Sequence, residues 1–167
     1  MEKQAIYGIL FNENREQVLL VQRRDLPVWV LPGGGLDPNE SPEEGVKREV
    51  LEETGYQVAI VRKIATYLPV NRMTQKTHFF ECKIIGGQAK LNAEAKQIKY
   101  FPVNKLPTRL PPPFHGWIKD ALTPPEKPLI KNTEDVTYLT LLKLLLQHPH
   151  LVIRYFLTKI GIRFNAK

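Results

Sequence analysis

Short apolar runs separated by turn residues fill the early part of the chain, and apolar positions at helical spacing fill its end. Residues 5–11 are apolar and β-leaning, Asn12-Glu13-Asn14 is a turn signal, and residues 18–22 form a second strand-like run. Together they predict a hairpin at the start of a sheet. Residues 28–31 are another short apolar segment, ending at Pro32-Gly33-Gly34-Gly35, whose glycines predict a loop with unusual backbone angles. A helix over Pro42–Thr54 is well signalled: Ser41 is a good N-cap, Pro42 suits the first helical position, Glu44 completes a capping box, and Gly55 is a left-handed stop. Val46 and Val50, with Leu51 at the margin, give it a stripe to bury.

Residues 58–67, 77–85 and 98–103 predict further strands, with Gly86-Gly87 as a turn after the second. Residues 107–113 form a proline-rich loop, 114–122 a helix, and Pro124-Pro125 a boundary. Beyond it, residues 133–147 read as a helix capped by Asn132 or Thr133, His148-Pro149-His150 as a break, and 151–160 as a second helix. Strands with one early and several late helices imply an α+β fold, a mixed sheet sandwiched between helices. We divide the chain at the proline pair, into a domain at 1–123 and a C-terminal helical extension at 124–167.

Composition changes the picture in three ways. Hydrophobic residues at 43% are enough for a real core. The longest apolar run, within 139–146, is broken by Lys143 and is too short to span a bilayer, and the N-terminus shows no signal-peptide pattern. Cys82 is the single cysteine, so an internal disulfide is impossible; these features together point to the cytoplasm. The net charge of +7 is unevenly spread: residues 37–53 are strongly acidic, whereas 151–167 hold Arg154, Lys159, Arg163 and Lys167 and no acid. The extension has three readings: a helical hairpin packed on the core, a homodimer contact, or a basic element touching nucleic acid or an anionic membrane.

The chemistry is concentrated on the acidic helix. Glu49, Glu52 and Glu53 stand at i, i+3 and i+4, which puts three carboxylates on one face. Like charges at that spacing repel, and the helix dipole disfavours them in the later half of a helix. A bound divalent cation reverses the sign of both effects. Carboxylates without nearby His or Cys suit hard ions, so Mg2+ is the expected cofactor, with Mn2+ an alternative. The glycine turn before the helix lets backbone approach the metal or phosphates closely.

Gly34, Glu40, Arg48, Glu49, Val50, Glu52, Glu53, Gly55 and Tyr56 together resemble the Nudix box of the Nudix hydrolases. Tyr56 fills a position where an aliphatic residue is commoner, and Asn39 stands where glycine is frequent, a left-handed position that Asn tolerates. Seven fixed residues at these spacings coincide by chance at about one in 10^6 per chain. The resemblance implies the Nudix fold and metal-dependent attack of water on a phosphorus of a nucleoside diphosphate linked to another group. A nucleoside triphosphate or a nucleotide sugar such as ADP-ribose would fit that description.

By the same resemblance Glu49, Glu52 and Glu53 hold the metal, with the carbonyl of Gly33 as a further ligand. Glu49 or Glu94 activates the water. Glu40, Arg48 and Gly55 brace the motif, and Arg23, Gly34 and Gly35 meet the substrate. For Arg23 and Arg24 a solvated strand end is the competing reading, and for Trp29 a buried position competes with base stacking. Phe79 and Phe80 alternate in one strand, which predicts one in the core and the other free to line the pocket. Cys82 reads as a buried inert thiol, and the four histidines as surface or cap residues. The alternative function is a non-catalytic Nudix-fold module that binds a nucleotide or a protein; lost box glutamates would signal it, and here all are present.

Overall fold

A computed structural model of the chain describes residues 3–123 and 126–159. The Pro124-Pro125 boundary and Ile160, the expected end of the last helix, lie outside the described residues.

Among the described residues eight strands and four helices follow one another: β1 (Gln4–Leu10), β2 (Gln17–Arg23), β3 (Trp29–Val30), β4 (Gly33–Gly35), α1 (Pro42–Thr54), β5 (Tyr56–Leu68), β6 (Lys76–Gly87), β7 (Ala95–Pro102), α2 (Pro112–Leu122), β8 (Leu129–Asn132), α3 (Tyr138–Gln147) and α4 (Pro149–Lys159). They form a mixed five-stranded sheet in the order β4-β1-β6-β5-β8 and a three-stranded sheet in the order β3-β2-β7. The expected α+β class is what is found. The first hairpin is not: β1 and β2 meet only at the Phe11–Val18 bridge, then part into different sheets. β1 instead runs parallel to β6, and β2 antiparallel to β7.

The five-stranded sheet is covered on both faces at its centre, around Gly8, Phe79 and Phe80. Gly8 and Phe80 face α1, where Val46 and Val50 are fully buried against Gly8. Tyr7 and Phe79 face α2, and Trp117 stacks on Tyr67 with centroids 4.6 Å apart and stands 5.7 Å from Phe79. Burying each valine contributes on the order of 2 kcal/mol. With neither face wet at their positions, Phe79 and Phe80 are both core, and neither is free to line a pocket. Leu51 is 45% exposed and lies outside the buried stripe.

Four further boundaries differ from expectation, each because a partner distant in sequence decides it. Gly33–Gly35 is not a loop but a short strand, its backbone paired antiparallel with Ala5–Tyr7. Gly86 and Gly87 continue β6 opposite Gln57 and Tyr56 rather than turning. β7 begins at Ala95, and Val103 lies beyond its end. Residues 129–132 form β8, parallel to Ala65–Leu68, and the Thr133 N–H continues the ladder to the Leu68 carbonyl at 2.9 Å. Asn132 and Thr133 are thereby unable to cap α3; Thr137 does so, accepting from the Thr140 N–H.

Candidate active site

α1 is fixed at both ends by local chemistry. The Ser41 hydroxyl accepts from the Glu44 N–H at 3.2 Å while the Glu44 carboxylate accepts from the Ser41 N–H at 3.0 Å, a complete capping box. At the other end Gly55 takes φ 77° and donates to the Leu51 carbonyl at 2.8 Å. The helix therefore presents Glu49 and Glu53 at a set depth beside β4.

β4 can lie there only because Gly33 and Gly34 lack side chains. Gly33 has φ 153°, and a Cβ on it would stand 2.2 Å from the Ile6 carbonyl oxygen. A Cβ on Gly34 would stand 2.7 Å from Oε1 of Glu49, so that carboxylate lies directly against the turn. Glu53 Oε2 accepts from the Gly33 N–H at 3.0 Å. Two of the three helix carboxylates thus converge on the glycine strand, while Glu52 is more exposed.

Arg48 ties this assembly together. Its Nε and Nη2 donate to the two oxygens of Glu40 at 2.8 and 2.9 Å, and Nη2 also donates to the Gly35 carbonyl at 3.2 Å. Its Nη1 donates to Glu49 Oε1 at 2.8 Å and to Glu52 Oε2 at 3.4 Å. The paired bonds from Arg48 hold the Glu40 carboxyl below the usual range and raise the guanidinium in return. Asn39, at φ 68°, makes the turn that brings Glu40 back to the helix.

The remaining negative charge is crowded. Burial pushes Glu53 up to about 7, with the Gly33 N–H and Arg23 opposing and Glu49 and Glu94 adding repulsion. Glu49 is raised too, chiefly by burial, despite its bond to Arg48. Glu94, on the exposed turn before β7, is placed by an Asn92 side chain that accepts from its N–H at 2.9 Å. Its charge reaches both Glu49 and Glu53. Among the described residues no three acidic, histidine or cysteine side chains stand as a ready-formed cation cage. The donor set nevertheless fits a hard divalent ion: oxygen ligands only, two of them disfavoured as anions by burial and mutual repulsion, beside a strand with no side chains in the way.

Beside this centre lies one residue that the sequence did not single out. Asp25 grips Arg23 through two parallel bonds, Nε to Oδ1 at 2.9 Å and Nη2 to Oδ2 at 2.6 Å, and Arg23 is close enough to Glu53 to feel its charge. An acid two residues after an arginine at a strand end was the available signal. Arg24 bonds instead to the Ala95 carbonyl at 3.1 Å. Trp29 is neither free nor fully buried; its ring meets Phe101 edge-on with centroids 4.7 Å apart. His78 is buried rather than at the surface, between Gln4 at 2.8 Å and Lys63 at 3.2 Å, and burial with the lysine charge pushes it down to about 4. Cys82 is buried, and burial pushes its thiol up to about 12.

The NUDIX domain model matches residues 1–123, which contain the whole of this geometry. The chain belongs to the Nudix family. This Nudix chain is 42% identical over 72% of its length to a Bacillus subtilis protein provisionally named an 8-oxo-dGTP diphosphatase, of which it covers 80%. It is 33% identical over 62% of its length to an ADP-ribose pyrophosphatase of Methanocaldococcus jannaschii, covering 63% of that protein. Among solved structures, an ADP-ribose pyrophosphatase of Streptococcus suis matches 79% of this chain and 99% of its own, with 25% identity and a TM-score of 0.62. A NUDIX hydrolase of Nitrosomonas europaea, at 23% identity and a TM-score of 0.65, covers 78% of this chain and 79% of its own and supports the fold alone. The family membership makes the chain an enzyme, a Nudix-type pyrophosphohydrolase acting on acid anhydrides.

Proposed function

We propose that this enzyme hydrolyses a pyrophosphate bond of a nucleoside triphosphate, with a nucleotide sugar such as ADP-ribose as the second substrate class, and that it requires Mg2+ or Mn2+. The observation that carries the reaction is the pair of raised carboxylates, Glu49 and Glu53, set against Gly34 and Gly33. The likeness to the Bacillus subtilis protein, which exceeds that to the ADP-ribose pyrophosphatases above, favours the triphosphate. The catalytic unit is taken as residues 1–123, with 124–167 as an extension whose strand β8 joins the sheet. A cytoplasmic site of action suits a chain with one buried, reduced cysteine.

In this reading Glu49, Glu52, Glu53 and the Gly33 carbonyl would hold the cation, which when bound lowers the pKa of water and neutralises charge on phosphate. The chain's own residues do the rest. Arg48 keeps Glu40 and the turn at a fixed distance from α1 and withdraws one Glu49 oxygen from competition. Arg23, oriented by Asp25, offers a guanidinium to substrate phosphate. Glu49 or Glu94 takes a proton from the attacking water, and the lost negative charge relieves the repulsion both exert on Glu53.

The test is a panel of nucleoside triphosphates, ADP-ribose and nucleotide sugars, each with magnesium and with manganese, run in heavy-oxygen water with products identified. Release of pyrophosphate or phosphate from a triphosphate, with label on one product, supports the reading. Cleavage of ADP-ribose alone moves the enzyme to the second class. Nucleotide binding without turnover under either metal would leave only a non-catalytic module.

A further inference from the structure

The end of the chain carries a surface that the catalytic reading does not use. From Val136 to Lys167 the sequence holds Lys143, Arg154, Lys159, Arg163 and Lys167 and no acid, so this stretch supplies 5 of the +7 net charges. α3 and α4 pack on each other around a groove of about 320 Å³ whose lining includes Leu142, Leu145, Ile153 and Phe156. No residue of α3 is buried, and Leu139, Leu142 and Leu146 are 61%, 51% and 75% exposed. Its one charged residue is Lys143. A helix apolar on more than one face is not satisfied by a single neighbour, and exposed apolar area of this kind marks a contact surface.

Charge separates the candidate occupants. A second copy would bring two net-positive segments, with no acid on either, face to face, a repulsive interface. Nucleic acid would meet the charge but leave the leucines in water. A bilayer with anionic headgroups meets both properties. The helices have 10 and 11 residues, about 15–17 Å each, roughly half the hydrocarbon thickness, so they fit within an interface and do not cross. No described helix is long and apolar enough to span. The hairpin is tied to the rest of the chain by Arg154 Nε donating to the Asp25 carbonyl and by Asn71 Nδ2 donating to the Val136 carbonyl at 2.6 Å.

We propose that the α3–α4 hairpin docks this enzyme on an anionic membrane surface, its leucines entering the boundary between headgroups and acyl chains while Lys143 and the net positive charge of the segment draw it to phospholipid phosphates. The test is flotation of the full chain with vesicles of phosphatidylcholine alone and of phosphatidylcholine mixed with phosphatidylglycerol. Binding to the mixed vesicles should exceed binding to the neutral ones by roughly tenfold or more and should weaken as salt is raised. Lys143→Gln should weaken it about fivefold, the worth of one surface cation. The double variant Leu142→Glu with Leu146→Glu, at exposed positions, should abolish flotation while nucleotide hydrolysis and circular dichroism are kept. The salt titration needs no variant and stands if the double variant fails to fold. Absence of flotation, equal binding to both vesicle types, or flotation insensitive to salt overturns the proposal. Concentration-dependent self-association in sedimentation equilibrium, without vesicle binding, replaces it with a second copy as the occupant.

Discussion

Glu53 accepts a hydrogen bond from the Gly33 N–H at 3.0 Å, joining the later half of α1 to the start of β4 through a carboxylate. That bond favours the ionised acid, but burial outweighs it and pushes Glu53 from 4.5 up to about 7. Between those values the folded chain keeps a proton that the unfolded chain has lost. This group's stability contribution is therefore full below about pH 4.5, falls as pH rises through the window, and levels above about 7. The span is at most about 3 kcal/mol. In chelator, the difference in unfolding free energy between the wild type and Glu53→Gln should follow that slope, since Gln keeps an acceptor for Gly33 and removes the titration. Turnover of Glu53→Gln should fall roughly a hundredfold or more with the fold intact. Normal activity in that variant would refute the site.

Gly33 and Gly34 are neighbours with opposite expected sensitivities. A Cβ at Gly33 meets backbone, the Ile6 carbonyl at 2.2 Å, at a φ that L-residues avoid. Gly33→Ala should cost about 3 kcal/mol or more, read by urea unfolding. The nearest atoms to a Cβ at Gly34 belong to the Glu49 carboxylate, the end of a side chain that can shift where backbone cannot. Gly34→Ala should unfold within about 1 kcal/mol of wild type yet lose activity at least about tenfold, because Glu49 is pushed out of place.

Arg48 should not be replaceable by lysine. Its guanidinium serves both oxygens of Glu40, one of Glu49 and the Gly35 carbonyl at once, which needs a planar fork. Arg48→Lys and Arg48→Ala should both lose about 1–2 kcal/mol, since the partners are only half-buried, and both should lose activity. Equal stability of the lysine variant and the wild type, by thermal unfolding, would show that a point charge suffices.

What the sequence revealed was what local chemistry decides. Ser41, Glu44 and Gly55 bound α1 because caps act over three or four residues, and the spacing of Glu49 and Glu53 follows from the helix alone. What it hid depends on distant partners. Gly33–Gly35 reads as loop because glycine favours none of the regular elements, yet its backbone finds β1. Phe79 and Phe80 suggest one wet face because strands alternate, and only the packing of α1 and α2 on opposite sides removes it. Of the three aligned carboxylates two reach the glycine strand and Glu52 turns toward Arg48 and solvent, a difference set by side-chain direction that spacing does not encode.

The family match ends at Thr123, but the sheet does not. β8 covers the edge of β5 at Ala65–Leu68, and partly buried Leu129 packs against the core. Asp120 fixes both sides of that junction, accepting from Tyr67 Oη at 2.9 Å and from Lys131 Nζ at 2.6 Å. A chain ended after Thr137 keeps all of this and, among the described elements, loses only α3, which has no buried residue, and α4. It should retain nucleotide hydrolysis and most of its stability. A chain ended after Thr123 uncovers a strand edge carrying unpaired amides, a template for aggregation. It should lose about 2–4 kcal/mol and associate on concentration, since four parallel pairs and a partly buried leucine go together. Urea unfolding and light scattering on the two truncations decide the point. Equal behaviour would mean that β8 is an ornament on a sheet already complete at β5.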